Sequence, residues 1–141
     1  MKKILLFTML LCFTATFALA NGVAVVNANT GIYLRLESTN QSVTVYDQVA
    51  EIVTTQVFRN LTGAGTEIKY AFPLHEEASA TSLRWMINNT WYTAIFAPSP
   101  QDTSLPGGGD PNPELMAYLG DSPLFFSIPD VVAADSAIVI E

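Results

Sequence analysis

Few side chains in this sequence are of types that do chemistry. The single histidine, His75, stands directly before Glu76 and Glu77, the arrangement of a general base with carboxylates beside it. Neighbouring residues of an extended chain point to opposite faces, so Glu76 is badly placed to orient the imidazole. The Pro73-Leu74 strand end before it makes a solvated turn the expected setting. A Ser-His-Asp triad would need distant Ser and Asp residues, and no Gly-x-Ser-x-Gly elbow is present to expose a nucleophile. No catalytic residue is assigned and the chain reads as a non-enzyme.

Asp102, Asp110, Glu114 and Asp121 are the candidate oxygen ligands for calcium. Calcium takes roughly six to eight oxygens, and these four carboxylates lack the close, regular spacing of a calcium loop. No metal ligand and no cofactor site are assigned. Trp85, Trp91, Tyr92 and Tyr118 are the candidates for an aromatic platform that would take sugar rings or a partner chain. Strand alternation sends Trp85 to the face of Leu83 and Ile87, which places it in the core.

The elements that must position these residues begin after a leader. Lys2-Lys3, the apolar run from Ile4 to Leu11 and the Ala18-Leu19-Ala20 site have the three parts of a secretory signal, with cleavage expected after Ala20. The run is too short for a membrane span. Leu10 and Leu11 stand before Cys12 where lipidation signals carry small residues, so no lipid is expected there. Removing residues 1–20 takes away Cys12, Lys2 and Lys3, and leaves 6 − 2 = 4 basic against 13 acidic side chains, a net charge of −9. The exported chain then has no disulfide and no cysteine metal site. Its acidity argues against nucleic acid and anionic membrane surfaces as partners. The remaining 121 residues suffice for one core, so residues 21–141 are read as one domain.

β signals dominate that domain. Ile32, Leu34 and Leu36 alternate, and Thr39-Asn40-Gln41 is expected to turn the chain into residues 42–46. Residues 49–60 are rich in β-branched side chains without clean alternation, which predicts a bulge or a strand covered on both faces. After a hairpin-like Leu61-Thr62-Gly63-Ala64-Gly65, residues 67–74 alternate as a half-buried strand with Ile68, Tyr70, Phe72 and Leu74 on one face. Asn88-Asn89 is expected to turn residues 82–87 into residues 91–97. Six of the eight prolines and the Gly107-Gly108-Gly109 run fall in residues 98–123, a long loop. Within it, Asn112 as cap, Pro113 at the first turn and Gly120 at the end predict one short helix. Leu124, Phe126 and Ile128 make a strand broken at Pro129-Asp130, and a last strand runs from Ala137 to Glu141. These elements predict an all-β fold, an antiparallel β-sandwich with one short helix in a long Pro/Gly-rich loop.

Residues 49–60 ending Gln56-Val57-Phe58-Arg59-Asn60, the Tyr70-Ala71-Phe72-Pro73-Leu74 segment, and the closing Phe125-Phe126-Ser127-Ile128 and Ile138-Val139-Ile140-Glu141 strands carry a resemblance. Over residues 32–141 the chain resembles the vault protein inter-alpha-trypsin (VIT) domain, an all-β module of inter-alpha-trypsin inhibitor heavy chains and of many exported bacterial proteins. The chain departs from that family in two places. Only Met116-Ala117-Tyr118-Leu119-Gly120 is similar to the helix that members carry before the closing strands, and the family's last strand runs past the position of Glu141. The resemblance implies a non-catalytic protein-interaction module. It would be the N-terminal part of a larger adhesion or matrix-type protein in the secreted or cell-envelope space, with a von Willebrand A-like domain downstream. Its partner would be another protein or that downstream domain. No Asp-x-Ser-x-Ser metal motif is present here, so no family metal ligand is carried over. The alternative is a stand-alone carbohydrate- or calcium-dependent binding module. Three glycosylation sequons, at Asn40, Asn60 and Asn88, coincide with expected turns and are read as turn residues.

Overall fold

The computed structural model describes residues 21–95, 102–108 and 110–141. The leader and its Ala20 cleavage site lie outside the described residues, as do residues 96 and 97 of the strand expected over residues 91–97. Among the described residues nine strands and one helix follow one another as β1 (Val23–Asn27), β2 (Ile32–Tyr33), β3 (Arg35–Tyr46), β4 (Val49–Arg59), β5 (Thr66–Pro73), β6 (Arg84–Ile87), β7 (Thr90–Thr93), α1 (Pro113–Leu119), β8 (Pro123–Val132) and β9 (Ala137–Ile140). They form two antiparallel sheets, ordered β2-β1-β5-β8 and β3-β4-β9-β6-β7. The all-β sandwich expected from the sequence is the fold found.

The two sheets face each other across one apolar layer. Ala24, Ile68, Tyr70, Ile128 and Val132 from the four-stranded sheet meet Phe58, Trp85, Ile87, Ile138 and Ile140 from the five-stranded one. The expected half-buried strand over residues 67–74 is instead buried on both faces. Lys69 and Ala71, on the face away from the core, are 4% and 0% exposed. Ala71 belongs to a second cluster with Val25, Ala28, Phe125, and Leu115 and Leu119 of α1. Leu105 and α1 therefore form a third layer, tied down by the Ala28 N–H donating to the Pro106 carbonyl at 2.8 Å.

Other expectations need correction. Thr39-Asn40-Gln41 makes no turn; β3 runs unbroken through it, paired rung by rung with β4, and the turn comes at Asp47-Gln48, with Asp47 at φ 52°. β4 carries neither a bulge nor cover on both faces. The single register shift in the β3–β4 pair inserts Glu37 in β3, between the Leu36–Phe58 and Ser38–Val57 rungs. Leu61-Thr62-Gly63-Ala64-Gly65 is a crossover between sheets and not a hairpin, because β4 and β5 lie in different sheets. Pro129 does not break β8. That strand is a sheet edge, where a missing N–H costs no ladder bond, and the register shift around Pro129 absorbs it. Strand β1 had no counterpart in the sequence reading.

The local signals that held are chemical. Asn112 Oδ1 accepts the Glu114 N–H at 2.8 Å, Pro113 opens α1, and Gly120 closes it at φ 71° with its N–H donating to the Met116 carbonyl. Asn88 and Asn89 take φ 50° and 60° between β6 and β7, as a two-residue hairpin turn requires.

Candidate functional site

The distinguishing feature of the surface is the far half of the β3–β4 pair. β9 pairs with β4 only from Gln56 to Arg59, whereas β3 and β4 pair on through Asn40–Thr55 to Tyr46–Val49. Residues 40–55 thus form a two-stranded ribbon that projects past the sandwich. Its side chains are not those of a solvated arm: Val43, Val45, Tyr46, Val49, Ile52 and Val53 are all exposed, with Val45 at 66% and Val49 at 68%. Residues opposite each other on paired strands share a face, so Val43, Val45, Ala50 and Ile52 make one face, while Tyr46, Val49 and Val53 share the other with Ser42, Thr44 and Glu51. Across residues 38–58 the charged side chains are Asp47 and Glu51 alone.

The root of this ribbon is held by polar groups. The inserted Glu37 accepts from Arg59 Nε and Nη2, the latter at 3.1 Å, and Arg59 Nη1 donates to the Asp135 carbonyl at 2.9 Å. The Arg59 hydrogen bond holds the Glu37 carboxyl below the usual carboxylate range. Inside, Gln56 is fully buried; its Oε1 accepts from the Tyr70 phenol at 2.7 Å and from the Gly22 N–H at 3.1 Å, and its Nε2 donates to Thr39 Oγ1 at 3.2 Å. Asn60, also fully buried, donates from Nδ2 to the carbonyls of Ala64 and Val132 at 2.7 and 2.8 Å and accepts the Thr62 N–H and hydroxyl on Oδ1. That arrangement shapes the crossover, and it uses the nitrogen to which a glycan would attach. Asn40 lies inside β3, not in a turn.

The residues singled out from the sequence do not assemble. His75 is exposed in a turn, its Nδ1 accepting the Glu77 N–H at 3.3 Å and its carbonyl the Ala78 N–H. Among the described residues no group of three or more His, Cys, Asp or Glu side chains converges as a metal site. Asp102 is engaged elsewhere, accepting from buried Lys69 Nζ at 2.9 Å and from the Ser104 hydroxyl at 2.7 Å, which holds its carboxyl at about 2, with the Ser104 bond as the larger cause. The aromatic residues lie on different surfaces. Trp85 is buried against Tyr92, with ring centroids 5.8 Å apart, and donates from Nε1 to Asp130 at 2.8 Å. Trp91 lies beneath the Arg84 guanidinium at 4.5 Å, and Tyr118 sits on α1, bonded through its hydroxyl to Asn21. Tyr118 and Tyr33 border an open groove of about 540 Å³ between the β1–β2 end and α1, where Asn112 already spends its side-chain oxygen on the helix cap.

The turn composition of residues 39–41 hides the ribbon in the sequence. The signal that could have found it is the absence of charge over residues 38–46 followed by Asp47-Gln48. Residues 36–102 match the family model described as the vault protein inter-alpha-trypsin domain. No curated protein matches the chain, and no solved structure does. The match takes in most of β3 and all of β4 to β7. β8 and β9, beyond it, pair with β5, β4 and β6 and complete both sheets.

Proposed function

We propose, on the premise that residues 36–102 belong to the vault protein inter-alpha-trypsin domain family, that this chain is a non-catalytic protein-interaction module exported from the cell, working beside a von Willebrand A-like domain encoded downstream. The observation that carries the reading is the projecting ribbon. A folded chain that leaves six large apolar side chains exposed on one two-stranded ribbon, three on each face, presents a contact surface, since soluble monomers rarely expose large contiguous apolar patches. Export rests on the leader-like residues 1–20, and among the described residues no helix is long and apolar enough to cross a membrane.

The test is a thermal shift with the polypeptide encoded after codon 141. Specific binding raises the melting temperature as RT ln(1 + [L]/Kd) requires. A rise with that polypeptide supports the module reading. A rise with polysaccharide or calcium alone, or a stop codon soon after codon 141, contradicts it.

A further inference from the structure

The geometry points to a second copy of this chain as the partner of the ribbon, joined edge to edge along β3 about a two-fold axis at Thr44; this deepens the interaction-module reading and rests on it. Among the described residues β3 is the edge of its sheet, with β4 as its one neighbour there. Exposed edges in soluble proteins are normally blunted by Lys, Pro or inward-pointing charge. Residues 38–46 of β3 contain none of these, and no Gly. Such an edge is open to main-chain pairing along its length.

The side chains fix the register. Antiparallel pairing of two β3 strands about Thr44 sets Val43 of one copy opposite Val45 of the other, twice, with Thr44 opposite Thr44 on the reverse face. β-Branched and Thr–Thr cross-strand pairs are the kind that stabilise a sheet. Adding the β4 partners given by the ribbon's own register, Ile52 with Val43 and Ala50 with Val45, the joint becomes a four-stranded sheet. Two rows then run across one face, each of four apolar residues: Ile52 and Val43 of one copy, then Val45 and Ala50 of the other. A two-stranded hairpin is marginal in water, and three or more strands with an apolar face are not.

Charge selects the same arrangement. The chain carries a net −7, so two copies repel wherever their acidic surfaces meet. Pairing about Thr44 overlaps only the ribbons and leaves the two sandwiches at opposite ends. The two Glu51 carboxylates then lie three strand spacings apart, about 14 Å, beyond the roughly 8 Å over which exposed charges act at physiological salt. The contact is isologous and closes at two copies, so it does not propagate into fibres.

Site-directed crosslinking with sedimentation tests this on the full chain carrying Cys12→Ser. Thr44→Cys is expected to give a disulfide-linked dimer under mild oxidant, because directly opposed residues bring Cβ atoms within disulfide range. Glu51→Cys is expected to stay monomeric on the same gel. The parent chain is expected to sediment as a dimer that dissociates on dilution, and Val45→Lys as a monomer with unchanged circular dichroism. A parent chain that is monomeric at every concentration overturns the proposal, as does equal crosslinking through Glu51→Cys. If self-association fails while the polypeptide encoded after codon 141 still binds, only the dimer falls. If the dimer forms and that polypeptide does not bind, the downstream-domain reading falls instead.

Discussion

The Tyr70 hydroxyl donates to Gln56 Oε1 at 2.7 Å inside the core, a buried hydrogen bond that joins β5 of one sheet to β4 of the other. Both residues belong to the two segments that carried the family resemblance. The Tyr-x-Phe-Pro-Leu strand and the strand ending at Asn60 are thus connected through their polar side chains as well as their apolar ones. Tyr70→Phe keeps the ring contact with Phe58, 6.1 Å between centroids, and removes only the hydroxyl. The expected loss is about 1–2 kcal/mol in urea unfolding with an unchanged m-value.

Burial pushes the Tyr70 phenol well above its ordinary value of 10.0. A group whose folded pKa is raised contributes stability that is complete below its unfolded pKa and is lost as pH rises beyond it. Stability of the parent chain is therefore expected to fall as pH climbs above about 10, and Tyr70→Phe to fall less steeply over the same range. Urea midpoints measured from pH 9 to 11 check this.

Asp102 shifts the opposite way, from 3.8 to about 2, through Ser104 and Lys69. A depressed carboxyl contributes stability above its unfolded pKa that is lost as pH falls through the folded one. Asp102→Asn is expected to lower the melting temperature at pH 7, where Lys69 loses its counter-charge, and to lose less on acidification between pH 4 and 2 than the parent chain does. Calorimetry across that window measures both effects.

Asn60 satisfies both hydrogens and its oxygen with zero exposure. Asn60→Ala takes a donor from the carbonyl of fully buried Val132, a loss of about 1–3 kcal/mol, whereas Ala64 keeps the Thr62 hydroxyl as a donor and both of those residues are exposed. The expected loss is about 1–3 kcal/mol, read from chemical denaturation. In a glycosylating host Asn60 is expected to carry no glycan on the folded chain, and peptide mass spectrometry reports this directly.

The ribbon's far end is not part of the core, so it can be shortened. Ser42 and Val53 are a cross-strand pair, and replacing residues 43–52 by Asn-Gly closes them with a two-residue hairpin turn. Stability in urea is expected to change by less than about 1 kcal/mol, as for surface changes remote from packed features, while self-association disappears.

Where the sequence was legible, a specific residue left little choice. Asn112-Pro113 with Gly120 allowed one helix register, and Asn88-Asn89 supplied the two positive-φ positions of the β6–β7 turn. Alternation failed where burial does not follow the strand period. β5 is covered on both faces, so Lys69 and Ala71 gave a polar or small residue where another buried layer lies. β3 and β4 leave the core halfway along, so Val45 and Val49 are apolar with nothing of the sandwich beneath them. Thr39-Asn40-Gln41 has turn composition, yet its backbone is paired with Thr54, Thr55 and Gln56, and the tertiary ladder overrides the local preference. The candidate sites scattered because His75, Asp102 and Trp91 lie on different elements, a separation that depends on topology and not on spacing.

Hydrogen–deuterium exchange of residues 38–46, at protein concentrations spanning a hundredfold range, tests most directly the claim that two copies of the chain meet along the ribbon. The outer amides of β3 are expected to exchange rapidly at the lowest concentration and to gain protection at the highest, while the exchange of β5 and β9 stays constant. Rates along β3 that do not change with concentration would contradict the claim.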